Sequence, residues 1–275
     1  MNLDSHQHFW VYTPEDYPWI DDQKKQIART FLPHDLEAEQ SPLNLHGSIA
    51  VQARQSLQES DWLLALADNS PVIQGVVGWV DLRSDAVARD LEHLSRHPKF
   101  VGVRHVVQDE PDDSFMLQNS FLRGIGLLER FGLAYDILIF PNQLPAAIKL
   151  ARRFPNQLFV LDHIAKPSIK SGLIEPWRTH ILELGKCPNV FCKISGIATE
   201  ASWSSWKQSD FEPYLDVVYE AFGADRLMFG SDWPVCLLAG SYAAIHDIAR
   251  QFFRQFEEVV QRKFFGANAR KFYGL

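Results

Sequence analysis

The sequence alternates apolar, β-rich runs with segments of helical character, and this alternation constrains the fold more than any other feature. Runs that are hydrophobic along nearly their whole length are typical of parallel strands covered on both faces. We count eight such runs, which predict eight strands. In chain order they are LDSHQHF, HGSIAVQA, VIQGVVGWVDL, FVGVRHVV, GLAYDILIF, LFVLDHI, NVFCKISG and DRLMFGSDW.

Four of the intervening segments carry clear helix signals. Residues 56–70 have apolar side chains at helical spacing and end in turn formers, and residues 119–132 open on Asn119 as a predicted cap and close on Gly132. Segments 141–156 and 210–223 repeat this form. Eight strand–helix units in about 250 residues match a (β/α)8 barrel, whereas a doubly wound sheet leaves some strands unexplained. We therefore predict an α/β protein, a (β/α)8 TIM barrel forming one domain over residues 1–275.

A long segment, residues 9–45, separates the first two predicted strands and is too rich in proline and aromatic residues to be one helix. A loop that follows a barrel strand lies on the face that carries active sites, so this segment is predicted to be a lid or pocket wall. Its large aromatic residues more often pack than touch substrate. Trp10 and Trp19 are nevertheless candidates for an aromatic substrate-binding face.

Composition narrows the class of ligand. The formal net charge is −7 and no block of Lys and Arg occurs, which argues against a nucleic-acid or anionic-membrane partner and favours a small molecule. The cysteines are sparse and lack Cys-x-x-Cys spacing, so a disulfide framework or a structural zinc site is not expected. With no leader-like segment and no apolar run of about 18 residues, we expect a cytoplasmic protein. The sequence does not indicate its oligomeric state.

Polar residues end five of the eight predicted strands. Each has a separate structural explanation, such as an ion pair or a turn cap, but burying so many ionisable groups is costly unless they share one site. The carboxyl ends of all barrel strands meet at one face, which predicts that site. The residues are His6, His8, Arg104, His105, Asp162, His163, Lys193, Ser195 and Asp232.

Short motifs at these strand ends resemble a known family. His-x-His on the first strand, a histidine in LDHIAKP and an aspartate in FGSDWP are similar to the amidohydrolase superfamily. Together with VGVRHV, CKISG and the closing GANARKFYGL, they resemble its sugar-lactone hydrolase branch, which includes L-fuconolactonases, L-rhamnonolactonases and pyrone-dicarboxylate lactonases. The similarity runs from residue 1 to the end of the chain.

The resemblance implies roles for particular residues. It makes His6, His8 and His163 potential metal ligands, and it makes Asp232 a metal ligand or the general base that activates water. Asp232 and His163 are the predicted catalytic residues. The bridging Lys or Glu that holds a second metal in the superfamily has no counterpart in GLAYDILIF or VGVRHVV. The resemblance therefore implies at most one divalent metal, zinc, and leaves metal-independent catalysis open, because members of the branch differ in their need for metal.

The implied activity is hydrolysis of a small sugar-acid lactone, of the L-fuconolactone or L-rhamnonolactone type, to the open hydroxy acid. A carboxylate base is sufficient for an activated ester if positive charge stabilises the developing oxyanion. Arg104, Lys193, protonated His163 or zinc could supply that charge. The predicted substrate-binding residues are Arg104, His105, Lys193, Ser195, Trp10 and Trp19.

Two other functions stay open from the sequence. A metal-dependent decarboxylase or hydratase of a small carboxylate could use the same strand-end residues, with Arg104 and Lys193 holding the carboxylate. A sugar-binding barrel without catalysis is the other alternative. A serine hydrolase is disfavoured, since Ser195 lacks the Gly-x-Ser-x-Gly elbow.

Overall fold

The eight predicted strands are all present in the computed structural model, which describes residues 2–275. Each strand pairs in parallel with the next one along the chain, in the order β1 to β8. They are β1 (Asn2–Gln7), β2 (Leu45–Val51), β3 (Ile73–Gly78), β4 (Phe100–Val106), β5 (Ala134–Leu138), β6 (Phe159–Leu161), β7 (Val190–Ile194) and β8 (Leu227–Phe229). The strand prediction is therefore confirmed.

The barrel closes where β8 meets β1. Backbone hydrogen bonds join the end of β1 and the residue after it to the segment that follows β8, from His8 N–H to the Trp233 carbonyl at 2.7 Å and from Asp232 N–H to the His6 carbonyl at 2.8 Å. The hydroxyl of Ser5 also donates to the Phe229 carbonyl at 2.6 Å. These bonds connect the first strand to the region of the last strand, so the sheet closes on itself. The predicted (β/α)8 barrel is therefore confirmed.

Helices surround the strands, as the alternation predicts. They are α1 (Pro33–Gln40), α2 (Leu57–Asn69), α3 (Val87–Leu94), α4 (Asn119–Leu128), α5 (Leu144–Arg153), α6 (Trp177–Gly185), α7 (Gln208–Phe222), α8 (Tyr242–Phe253), α9 (Glu258–Arg262) and α10 (Asn268–Tyr273). The predicted cap at Asn119 is wrong, because Gln118 takes the N-cap position and Asn119 is already helical. Gly132 does close its segment, with a left-handed φ of 66°. No helix in residues 2–275 is long and apolar enough to cross a membrane.

An apolar cluster fills the barrel interior on the side away from the polar strand ends. Leu3, Ile49, Val77 and Val160, from four different strands, are fully buried there in one cluster. Helix α10 packs against the same cluster, and its Phe272 ring lies 4.8 Å from that of Phe191. The C-terminal helix thus covers this end of the barrel, which leaves polar residues for the opposite end.

The long segment after β1 is not one helix, as predicted. It contains short 3-10 turns and α1, and mutual backbone hydrogen bonds between Trp10 and Phe31, at 3.1 and 2.9 Å, close residues 10–31 into a loop. Trp10 is fully buried, and its indole N–H donates to the Arg29 carbonyl at 2.8 Å. The segment is therefore an ordered wall anchored to the barrel rather than a free loop.

Candidate active site

The strand ends bring three imidazoles and one carboxylate together. His6 and His8 come from β1 and the residue following it, His163 follows β6, and Asp232 follows β8. His6 Nε2 lies 3.2 Å from His8 Nε2, and the Asp232 carboxylate lies 3.3 Å from His8 Nε2 and 3.7 Å from His6 Nε2. His163 Nε2 is 3.9 Å from the same carboxylate oxygen. More than 220 residues separate His6 from Asp232 along the chain, so the barrel topology alone creates this cluster.

Unusual backbone conformations aim two of these side chains. His163 and Asp232 have φ values of 54° and 58°, in the left-handed region that non-glycine residues rarely adopt. The left-handed conformation continues from His163 through Lys166. Such conformations cost free energy and persist at functional sites, where the surrounding structure imposes them. The turn after β6 therefore places the His163 ring at a cost in backbone free energy that a simple connection from β6 to α6 does not require.

Gly196 leaves the space that the His163 ring occupies. Its φ is 60°, and a Cβ atom added there would lie 2.6 Å from His163 Nδ1 and 3.2 Å from an Asp232 carboxylate oxygen. The first approach is shorter than real Cβ contacts and the second is tight, and the positive φ also favours glycine at this position. The SGI segment after β7 thus has a steric role in the site.

Hydrogen bonds fix the tautomer of His8. Its Nδ1 lies 2.8 Å from the Val51 carbonyl oxygen, which can only accept, so Nδ1 carries the proton. The Nε2 lone pair then faces His6 and Asp232. A carbonyl behind one ring nitrogen is the arrangement that orients metal-binding histidines.

The facing atoms of His6, His8 and Asp232 are all electron-rich. Burial lowers the pKa of His6 well below its usual value, so its ring is neutral at pH 7. Burial would raise the pKa of Asp232, but the neighbouring imidazoles of His163, His8 and His6 outweigh this and hold its pKa below the usual range. Two lone pairs and a carboxylate therefore face one another, an arrangement that a cation between them would stabilise.

The donor set of His6, His8 and Asp232 fits a single divalent metal. Their ligand atoms lie within 4.8 Å of one another, and the separations of 3.2, 3.3 and 3.7 Å are near the roughly 3.3 Å edge of a tetrahedral zinc site with nitrogen and oxygen ligands. His6, Asp162 and His163 form a second triplet. Asp162 already contacts two cations of the chain, which makes the first triplet the better fit.

A buried ionic column supports His6 from below. Lys193 is fully buried, with its ammonium 3.3 Å from His6 Nδ1 and 3.1 Å from Asp162, and it also forms an ion pair with Asp136. Tyr273, from the helix that covers the barrel bottom, donates its hydroxyl to Asp136 at 2.9 Å. Burial raises the pKa of Asp136 to about 6, whereas nearby Lys193 and His6 overcome the burial of Asp162 and hold its pKa well below the usual value.

Arg104 lines the site, but its donors are already used. Its guanidinium contacts the Gln52 side chain at 2.8 and 3.2 Å, Asp162 at 3.2 Å and His6 Nε2 at 3.3 Å, and it also donates to the Gln52 carbonyl. These contacts account for the five N–H groups of an arginine. Arg104 therefore contributes positive charge and holds its neighbours, and it offers a substrate no free donor in this arrangement.

Three further residues named from the sequence as substrate-binding lie behind the site. Lys193 is sealed beneath His6, and Ser195, at 1% exposure, lies against His163 with its hydroxyl 2.9 Å from Nδ1. His105 is stacked on Phe115. None of the three belongs to the cavity wall, because each side chain lies in the packed layer under it. Protonated His163 is also not available at pH 7, since burial lowers its pKa to about 4.

A cavity of about 800 Å³ opens above the cluster. His8, His163 and Asp232 form part of its wall, and Trp19 from the long segment after β1 forms another part, with the fully buried Trp10 behind it. The cavity also contains residues that sequence reasoning missed. They are Arg54, Glu110, Lys166, Glu200 and Trp203, all from loops after strands. The only feature of the sequence that could have indicated these residues is their position in loops that follow predicted strands.

The site lies at the carboxyl ends of parallel barrel strands, where imidazoles and a carboxylate from the first and last strands meet. This arrangement is typical of barrel enzymes that use acid–base or metal-assisted chemistry. The chain belongs to the amidohydrolase family, whose family model matches residues 3–275. This is a family of enzymes, and the resemblance noted in the motifs is confirmed.

Individual relatives extend the comparison. The chain is 39% identical to an L-fucono-1,5-lactonase of Burkholderia multivorans, over 100% of this chain and 96% of that protein. A second L-fucono-1,5-lactonase, of Burkholderia ambifaria, is 39% identical over 88% of this chain and 83% of its own. The crystal structure of an amidohydrolase from Burkholderia multivorans with bound zinc superimposes with a TM-score of 0.97 at 38% identity, covering 100% of this chain and 99% of the other.

Proposed function

We propose that this protein hydrolyses a small sugar-acid lactone to the open hydroxy acid, and that L-fucono-1,5-lactone is its best candidate substrate. The observation that carries the proposal is the placement of Asp232 among His6, His8 and His163 at the floor of the cavity. The relatives named as L-fucono-1,5-lactonases support the same activity along the whole chain. The proposal also matches the expectation from the sequence motifs.

Asp232 acts as the general base in this proposal. Its carboxylate is ionised at pH 7 and lines the cavity, so it can take a proton from a water that attacks the lactone carbonyl. When the tetrahedral intermediate collapses, the same residue returns the proton to the ring oxygen. The leaving alkoxide then becomes a hydroxyl of the product, and no covalent intermediate with the protein is required.

Positive charge for the oxyanion comes from two sides of the cavity. Arg104 and Lys166 both line it, and both lower the pKa of His163, which places their charges close to the cluster. Neutral His163 lies with Nδ1 against the Ser195 hydroxyl and Nε2 towards Asp232. It serves to hold the carboxylate and the attacking water in line.

A single zinc ion would be held by His6, His8 and Asp232. When bound, zinc supplies a Lewis acid that polarises the carbonyl and lowers the pKa of the attacking water. Asp162 Oδ1 lies 3.3 Å from His6 Nδ1 and the Val51 carbonyl accepts from His8, so both imidazoles have an oxygen behind the ring that orients them for this role. The relative crystallised with zinc is consistent with this assignment.

The charge and shape of the cavity favour a neutral polyhydroxy ligand. Six acidic and four basic residues line it, which disfavours a doubly anionic substrate such as a dicarboxylate. Trp19 and Trp203 supply aromatic surface for the C–H face of a sugar ring, whereas Trp10 is fully buried behind the wall. Decarboxylases among the structural relatives are 12% and 14% identical and show the fold alone, and no feature of this cavity favours their reaction.

A screen of L- and D-aldonolactones with a pH-indicator readout, with and without chelator, tests the proposal. We expect acid release to be fastest with a six-carbon L-lactone of the fucono type. Chelation is expected to lower the rate at least tenfold, roughly the loss of a Lewis acid's contribution, and added zinc to restore it. A folded protein that releases acid from no lactone contradicts the proposed function. Full activity after exhaustive chelation contradicts only the zinc assignment.

A further inference from the structure

Glu110 brings a carboxylate to the cavity wall well apart in sequence from the cluster residues. It follows the 3-10 turn after β4, and it lines the same cavity as Asp232 and His163. Its side chain is 22% exposed, and one of its oxygens lies 2.7 Å from Nε2 of the buried His105. The contact connects a residue of the cavity wall to the packed layer beneath it.

The direction of the His105 hydrogen bond follows from its other partner. Trp79 Nε1 lies 3.3 Å from His105 Nδ1, and an indole nitrogen can only donate. His105 Nδ1 therefore accepts, and Nε2 carries the ring proton that is donated to Glu110. Burial also lowers the pKa of His105, so the ring is neutral at pH 7 and keeps this tautomer.

Aromatic packing keeps the His105 ring in place. It stacks on Phe115 with centroids 5.0 Å apart and an interplanar angle of 19°, and it meets the edge of Phe121 at 5.9 Å. With 3% of the residue exposed, His105 has no route to the cavity itself. A ring held by Phe115 and Phe121 and hydrogen-bonded at both nitrogens sets the orientation of the Glu110 carboxylate before any ligand arrives.

We propose that Glu110 is a specificity-determining residue that accepts a hydrogen bond from a hydroxyl of the sugar lactone, and that His105 is the positioning residue behind it. The inference deepens the proposed function and rests on it. An ionised carboxylate offers about four acceptor sites, and the single His105 proton uses one of them. A carboxylate held in one orientation at the cavity wall favours a ligand that places a hydroxyl donor within hydrogen-bond distance, as a sugar does. A substrate carboxylate near Glu110 would instead be repelled.

The test compares Glu110→Gln with the wild type on the preferred lactone and on a set of its deoxy analogues, each of which lacks one hydroxyl. We expect Glu110→Gln to lower kcat/KM on the full lactone by about 10–100-fold, the usual effect of a hydrogen bond to a charged group, mostly through KM. On the one deoxy analogue that lacks the contacted hydroxyl, the two proteins should have equal kcat/KM. Glu37→Gln, at an exposed position on α1, is the matched control and should behave as wild type.

His105→Phe tests the positioning role separately, because it keeps an aromatic ring against Phe115 and removes only the donor. We expect a smaller loss than in Glu110→Gln, and no further loss when the two substitutions are combined. Additive losses would show that His105 acts through the core instead. Glu110→Asp serves as a second variant, with the charge kept and the reach shortened by one methylene.

The affinity for a non-hydrolysable lactam analogue, measured by calorimetry, tests the role of Glu110 in binding even if the protein hydrolyses no lactone. A wild type that binds the lactam but hydrolyses no lactone contradicts the proposed function, and the Glu110 variants still decide the inference. Equal lactam affinity in Glu110→Gln and wild type overturns it, and so does an equal loss on every deoxy analogue. A wild type that binds neither lactam nor lactone overturns both.

Discussion

Replacing Asp232 by asparagine is expected to lower kcat for lactone hydrolysis by about 10³-fold and to leave the fold intact, if Asp232 is the general base that we propose. The loss is in the range expected when a general base is removed, since the amide cannot take the proton from water. Asparagine keeps the shape of the side chain and adopts left-handed backbone more readily than most residues, which suits the φ of 58° at this position. The Asp232 backbone N–H, which donates to His6, is unaffected.

Steady-state kinetics on the preferred lactone, together with thermal melting, measures this effect. Asp216→Asn is the matched control, because Asp216 is exposed on α7, away from the cavity. The control should retain wild-type kcat and melting temperature. An Asp232→Asn protein that melts normally and keeps more than about a tenth of kcat contradicts the role of Asp232 as base.

Replacing Lys193 by methionine is expected to destabilise the fold by about 3–5 kcal/mol, the usual cost of removing one partner from a buried ion pair. The substitution leaves Asp136 and Asp162 fully buried without the ammonium that lies between them. Methionine fills a similar volume, so the loss measures charge more than packing. Denaturant unfolding at pH 8 is the appropriate measurement, and the double variant Lys193→Met/Asp136→Asn should recover part of the loss.

The Lys193→Met loss should also depend on pH. The pKa of Asp136 is already raised to about 6 in the folded protein, and removal of Lys193 raises it further. A carboxyl group whose folded pKa is raised contributes stability below its unfolded pKa and loses that contribution as the pH rises through the folded value. The variant should therefore be closer to wild type at pH 5 than at pH 8. A loss that is equal at both pH values, or under about 1 kcal/mol, contradicts the ionic column.

The sequence predicts the fold well because each strand of this barrel is covered on both faces. Such strands read as continuous apolar runs, and every predicted run overlaps an observed strand, six of them over the whole strand and those of β1 and β2 over all but its first residue. The strand-end rule also selects His6, His8, His163 and Asp232, which the structure brings within 4 Å of a neighbour in the cluster. Their catalytic and ligand roles are still proposals that the experiments above test.

The sequence cannot show how deep a strand-end side chain lies, and this limits the prediction of the site. Lys193 and His105 carry the same strand-end signal as the cluster residues, yet one lies beneath His6 and the other behind Glu110. Glu110 itself belongs to a short turn. It is linked through His105, near the end of β4, to Trp79, which follows β3. No local pattern encodes such contacts, because they depend on the packing of distant segments.

The central claim is that a water activated at Asp232 opens a lactone by attack on its carbonyl. Single-turnover hydrolysis in ¹⁸O-labelled water, with the protein in excess and mass spectrometry of product and protein, tests it most directly. The claim predicts one ¹⁸O atom in the carboxylate of the hydroxy acid and none in the protein. Label in Asp232, label in the hydroxyl released from the ring, or the absence of any labelled acid would contradict it.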